Sequence, residues 1–187
     1  LMTWLWTPLL FVGIILTTWC VFFFRDPKRV TPLGAGLVIA PADGVVQAIV
    51  DIEPPPELAM GEGAWTRISI FMNVFDVHVN RAPVAGTIER SSYRPGKFFD
   101  ASLDKASEHN ERHGLLFKTA DGTEIGCVQI AGLIARRILC EVAEGQEMNP
   151  GERIGMIRFG SRVDIFVPAK SRILVIEGQR AVAGETV

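Results

Sequence analysis

Ile157-Arg158-Phe159-Gly160-Ser161-Arg162-Val163-Asp164-Ile165-Phe166-Val167 reads as a single β-strand. Ile157, Phe159, Val163, Ile165 and Val167 fall on one face, and Arg158, Arg162 and Asp164 on the other. That is the period-two alternation of a pleated strand. Gly160 sits mid-strand, where glycine marks a bulge or a close backbone approach. Ser161 falls on the apolar face, where a lone hydroxyl needs a partner. Taken alone, the strand is most simply a β-bulge with a satisfied serine.

Around it lie many short apolar runs punctuated by turn residues. Gly36–Ala40 and Val45–Ile52 flank Pro41-Ala42-Asp43-Gly44, which has strong turn chemistry. Thr66–Arg81 is a further run, in which Phe75, Val77 and Val79 alternate with Asp76, His78 and Asn80, and Asn73 falls out of phase. Gly86–Arg90 starts a short strand, and residues 91–114 read as a long polar loop. Leu115–Thr119 and Thr123–Ile130 flank Asp121-Gly122, the signature of a hairpin. Ile134–Val142 is strand-like, although Ala131–Leu139 reads equally as helix; Glu144–Glu152 is a loop, and Ser171–Glu177 a last strand before a frayed tail. The expected fold is mainly β (β-rich α+β): a compact barrel- or sandwich-like domain over residues 25–187.

Residues 1–24 carry no charged side chain. At about 1.5 Å per residue, a helix over most of this run approaches the roughly 30 Å of a hydrocarbon core. Pro8 divides the run and leaves Pro8–Phe24 as its uninterrupted part. Arg25, Lys28 and Arg29 follow at once. This predicts an N-terminal membrane-associated or transmembrane helix whose C-terminal flank lies on the cytoplasmic face of the cell membrane. A cleaved signal peptide would carry its positive charge before the apolar run, not after it. The mean hydropathy of +0.26 is concentrated in this segment.

The net charge is −2, from 19 Lys and Arg against 21 Asp and Glu, with no basic tail. Nucleic acid is therefore not an expected partner. Cys20, Cys127 and Cys140 lack CxxC spacing and are odd in number, which speaks against a zinc site or a disulfide framework. His109 and His113 are four apart but sit in a polar stretch that reads as a solvated face, so no metal is expected. There is no GxGxxG or GxxxxGK[ST], hence no phosphate-cradling loop. Asp104-Lys105-Ala106 matches the lysine tripeptide of lipoyl modules, but its flanks lack the expected hairpin.

Asp43, His78 and Ser161 each sit in or beside an apolar β segment. A carboxylate, an imidazole and a hydroxyl are the parts of an activated nucleophile. Ser161 lacks the GxSxG elbow of α/β-hydrolases. A membrane-tethered Ser-His-Asp hydrolase and a non-catalytic lipoyl-like β module both stay open on these residues.

Read in order, Phe24-Arg25-Asp26-Pro27, Pro41-Ala42-Asp43-Gly44-Val45-Val46, Phe71 through Pro83, Tyr93-Arg94-Pro95-Gly96, Asn110-Glu111-Arg112 and Phe159-Gly160-Ser161 resemble the phosphatidylserine decarboxylase proenzyme family in its short prokaryotic form. The resemblance covers most of the chain from Phe24 to Pro168. It implies self-cleavage between Gly160 and Ser161, into a β chain 1–160 and an α chain 161–187. Ser161 would become a covalent pyruvoyl group, with no metal and no PLP. Asp43 and His78 match the acid and the histidine that activate the serine. The implied reaction is decarboxylation of phosphatidylserine to phosphatidylethanolamine, with the pyruvoyl carbonyl as electron sink and His78 as proton donor. The implied partners are the lipid, the membrane and the enzyme's own cleaved chains, and a homodimer is compatible with them. Where the best-known members carry Leu-Gly-Ser-Thr, this chain has Phe159-Gly160-Ser161-Arg162, so the Gly-Ser pair is kept. Arg81 is a candidate for meeting a phosphate or carboxylate, with a surface ion pair as the alternative.

Overall fold

A computed structural model describes residues 3–96, 110–132, 137–158 and 161–187. Helix α1 (Thr3–Phe23) leads into strands β1 (Gly44–Asp51), β2 (Trp65–Met72), β3 (Val79–Arg81), β4 (Gly86–Arg94), β5 (Arg112–Lys118) and β6 (Glu124–Ala131). They are followed by β7 (Ile138–Cys140), β8 (Glu147–Met148), β9 (Arg153–Ile157), β10 (Ser161–Pro168) and β11 (Arg180–Ala181). An eight-stranded sheet of order β11-β1-β2-β10-β6-β5-β4-β8 curls into a half-barrel, and a three-stranded sheet of order β3-β9-β7 completes the fold. Every strand pair is antiparallel. This is the β-rich class expected from the sequence.

The stretch 157–167 is not one strand, however. β9 ends at Ile157 in the small sheet, and β10 begins at Ser161 in the large one. The chain changes sheets across residues 158–160, and Phe159 and Gly160 lie outside the described residues. Within β10 the alternation holds: Val163, Ile165 and Val167 enter the main core, and Phe166 enters a second cluster with Leu58, Leu116, Val128 and Ile130. Both faces are buried, so Arg162 and Asp164 are enclosed as well. They form an ion pair, with Nε 2.9 Å from Oδ1, and one hydrogen bond, from Nη2 to Oδ2 at 3.0 Å.

Other expectations are also corrected. Thr66–Arg81 is broken by a turn. The Asp76 N–H donates to the Asn73 carbonyl, and the Phe75 N–H donates to Asn73 Oδ1 at 2.8 Å. A side-chain oxygen that competes for backbone N–H groups ends a ladder, which explains why Asn73 is out of phase. Gly36–Ala40 forms no strand; the N–H groups of Ile39 and Ala40 bond to Pro83 and Thr186. β4 extends to Arg94 and β5 starts at Arg112, which shortens the expected 91–114 loop from both ends. The expected loop 144–152 contains β8. Ser171–Glu177 is not a strand, and the tail is not frayed: β11 pairs with β1, and Ala181 and Ala183 are buried.

Helix α1 runs through Pro8 without ending there. The ring removes one N–H from the ladder but sits early in the helix, where few bonds depend on it. At the other end, Arg25 Nη1 donates to the Phe22 carbonyl, a basic cap on a helix C-terminus. Leu9, Leu10, Phe11, Ile14, Ile15 and Leu16 are exposed. Among the described residues, no helix is long and apolar enough to cross a membrane.

The buried Arg162–Asp164 pair sets the first prediction. Asp164→Ala removes the carboxylate that faces the buried Arg162 guanidinium, a break in a buried pair that costs about 3–5 kcal/mol. Urea denaturation is expected to show that loss as a lowered midpoint. A shift worth under about 1 kcal/mol would mean that water reaches the pair.

Candidate active site

Ser161 opens β10 and is buried, opposite Met72 of β2 on one side and Ala131 of β6 on the other. Among the described residues its hydroxyl donates to the Met72 sulfur alone, at 3.9 Å, and a thioether is a weak acceptor. Ala131 is fixed by the segment before β5. The Asn110 side-chain N–H donates to its carbonyl at 2.8 Å, and its own N–H donates to the Glu111 carbonyl at 2.9 Å. The Asn110-Glu111-Arg112 stretch thus builds one wall of the serine's surroundings, and Arg112 is held by Glu57.

His78 follows the Asn73–Asp76 turn and is fully buried. Its Nδ1 lies 3.0 Å from the Asp76 carbonyl oxygen. A carbonyl only accepts, so Nδ1 carries the proton and Nε2 the lone pair. Nε2 is buried and has no hydrogen-bond partner among the described residues. Burial lowers the His78 pKa below its usual range, opposed by the Asp76 carbonyl bond and the Asp76 charge. The imidazole is therefore neutral near pH 7, with its basic nitrogen unengaged. The His78 carbonyl accepts from the Ile157 N–H at 3.2 Å, which ties the histidine to the last residue of β9. Phe23, the last residue of α1, stacks on the imidazole with ring centroids 4.3 Å apart.

Asp43 is placed differently from a triad acid. Arg29 Nη2 lies 2.8 Å from both carboxylate oxygens, and the Ala183 N–H donates to Oδ1 at 2.8 Å. No hydrogen bond joins Asp43 to His78; the carboxylate acts on the imidazole only as a distant charge that raises its pKa. The backbone carbonyl of Asp76 performs the orienting role. His78 is thus tied to Ile157 at the end of β9 and Ser161 opens β10, while Asp43 is bound to Arg29 and the C-terminal segment. Gly160 lies outside the described residues.

Two residues not singled out in the sequence complete the surroundings. Gln129 Nε2 donates to Asn80 Oδ1 at 2.8 Å, and Asn80 Nδ2 lies 3.7 Å from the same Met72 sulfur that Ser161 touches. Both amides are 0% exposed. Gln129 stands alone as a polar side chain in the apolar run Ile125–Ala131, and that isolation was the available signal.

The remaining candidates fall elsewhere. His113 lies on β5, not on a helix face, with Nε2 2.8 Å from Ser91 Oγ. His109 and Asp104-Lys105-Ala106 are outside the described residues. Arg81 pairs with Asp26 and donates to the Gly151 and Pro27 carbonyls.

A family model for phosphatidylserine decarboxylase matches residues 16–187. The chain is 58% identical over 184 residues to the phosphatidylserine decarboxylase proenzyme of Nitrobacter winogradskyi, covering 98% of this chain and 74% of that protein. It is 59% identical over 183 residues to the protein of the same name from Paramagnetospirillum magneticum, covering 98% and 76%. For that of Cereibacter sphaeroides the identity is 57% over 183 residues, covering 98% and 79%.

Because the folded-state pKa of His78 lies below the ordinary 6.5, the unfolded chain takes up a proton that the folded chain refuses. This group's stabilisation is present above pH 6.5 and is lost as the pH falls through the folded-state pKa. His113, lowered by burial, acts in the same direction. Urea midpoints followed from about pH 7.5 to 5 are expected to fall less steeply in His78→Phe than in the parent. Equal slopes would show that the imidazole is not held neutral.

Proposed function

The chain belongs to the phosphatidylserine decarboxylase family, and from that premise we propose that it converts phosphatidylserine to phosphatidylethanolamine and carbon dioxide, using a pyruvoyl group made from Ser161. The observation that carries this reading is the pairing of two anomalies: a buried serine hydroxyl with only a thioether for company, and a neutral buried imidazole whose Nε2 has no partner among the described residues. A folded core rarely keeps two such groups without use.

In the precursor, His78 Nε2 takes the hydroxyl proton, and Ser161 Oγ attacks the Gly160 carbonyl carbon. The peptide C–N bond breaks, leaving an ester and a free amine on Ser161. Loss of the Cα proton then expels the Gly160 carboxylate. Water converts the dehydroalanine to a ketone and releases ammonia. Two features suit the product: β10 and the core around Ser161 exclude water, and the buried site holds no carboxylate bonded to the serine. When formed, the pyruvoyl carbonyl supplies the electron sink for the bond to the departing carboxylate. His78 is positioned to hold or return a proton there.

The new fragment would not leave. β10 is paired on both edges, by β2 and β6, and β11 pairs with β1. The Val30 N–H donates to Glu185, and the Ile49 N–H to Glu177. These bonds join the two proposed chains along the whole of residues 161–187.

The lipid stays in a bilayer, so the enzyme must come to it. The exposed apolar side chains of α1 support membrane association. Because Phe23 stacks on His78 while Phe22, Phe24 and Phe75 are exposed, that helix sets the bilayer beside the site.

Denaturing mass spectrometry of the purified protein is expected to show a separate fragment 161–187 with a blocked N-terminus. Ser161→Ala and His78→Ala should each remain uncut. An intact chain with full decarboxylase activity would overturn the reading. Fluorophosphonate labelling of Ser161 in an uncut chain would point to a hydrolase instead. Flotation with anionic lipid vesicles gives a separate test. Leu10→Asp with Ile14→Asp is expected to weaken vesicle binding at least about tenfold, two buried charges each costing about 2.5–3.5 kcal/mol, while processing continues. Unchanged flotation would remove α1 from the membrane role.

A further inference from the structure

The Gln129 side-chain oxygen has no partner among the described residues. Gln129 is fully buried on β6 among Cys127, Val128, Ile130 and Ala131. Its Nε2 is used on Asn80 Oδ1, and its Oε1 has no hydrogen-bond partner among the described residues. Packing alone would be served by an apolar residue of the same volume, and an unsatisfied buried carbonyl is strongly disfavoured. An acceptor kept open in the core is waiting for a donor.

Its position says where that donor sits. Gln129 is opposite Val163, and Ala131 is opposite Ser161, so Gln129 and Ser161 share a sheet face one diagonal step apart. Asn80 closes the arrangement from the small sheet, where it pairs with Gly155 of β9. Its amide and the Ser161 hydroxyl meet the same Met72 sulfur. Gln129 and Ser161 therefore lie on one face of the large sheet, with Asn80 of the small sheet beside both.

We propose that Gln129 Oε1 receives the primary amine of the lipid headgroup, and that Asn80 is a positioning residue that holds the Gln129 amide in this orientation. This deepens the reading above, since it places the amine next to the carbon derived from Ser161. The choice of an amide over a carboxylate is chemically apt. A buried carboxylate would hold the amine as a tight ammonium pair and repel the substrate's own carboxylate. A neutral amide oxygen accepts an N–H from either protonation state, so the nitrogen stays free to lose its proton and react. It also discriminates: a trimethylammonium headgroup has no N–H to offer.

Binding is compared by calorimetry in the uncut Ser161→Ala background, where no pyruvoyl carbonyl can condense with an amine, for two soluble short-chain lipids, dihexanoyl phosphatidylethanolamine and dihexanoyl phosphatidylcholine; processing and kinetics are read with Ser161 in place. The parent is expected to prefer the primary amine by at least about tenfold. Gln129→Leu should bind the two within about threefold, be processed normally, and show a raised KM for dihexanoyl phosphatidylserine with a smaller change in kcat. A retained preference, or failure of a folded Gln129→Leu to process, overturns the proposal. If Gln129→Leu does not fold, Asn80→Leu, which releases the Gln129 amide, should erode the same preference, and an intact preference there overturns it equally. Failure of the proposed function reads out differently, as absence of the 161–187 fragment from the parent.

Discussion

Everything in this protein hangs on β10 being hydrogen-bonded along both edges and buried on both faces. A central strand of this kind is the least exchangeable part of a sheet, because its backbone groups have no route to water without breaking two ladders. Ser161 is its first residue. Ser161 is thus placed where secondary structure begins, after a change of sheet and at the first cross-strand pair, with Met72.

The second constraint is desolvation. His78 has lost its water and gained one backbone carbonyl in exchange, which fixes both its charge and its tautomer. No carboxylate is needed for that. Asp43 instead joins Arg29 to the backbone of the last segment, a contact that holds residues distant in sequence together. The same histidine carries the end of α1 on its ring face through Phe23. One imidazole is therefore linked to the small sheet through its carbonyl, to the turn through Nδ1 and to the N-terminal helix through its π surface.

Much of the fold was legible in periodicity and turn chemistry. The β5–β6 hairpin, the strand after Asp43-Gly44 and the apolar face of β10 follow from patterns that depend only on neighbours along the chain. What was not legible required partners distant in sequence. Ile157 and Ser161 continue one alternating pattern, and nothing local reveals that they lie in different sheets. Asn73 carried a visible fault in the pattern, but whether it marked a bulge or a turn depended on where its side-chain oxygen pointed. For the site, His78 and Ser161 stood out as polar groups in apolar surroundings. The orienting carbonyl of Asp76 has no side-chain signature, and the Asn80–Gln129 bond joins strands 49 residues apart.

The Arg29–Asp43–Ala183 contact and the central place of β10 have a consequence for the life of the molecule. While the chain is continuous, β10 reaches its slot between β2 and β6 by a unimolecular search, tethered at β9. The proposed cut before Ser161 would remove that tether, and a denatured molecule would have to find its missing strand by diffusion at the prevailing protein concentration. Under the proposed cleavage, maturation would work as a one-way valve on refolding, and the persistence of each copy would be set by its unfolding rate.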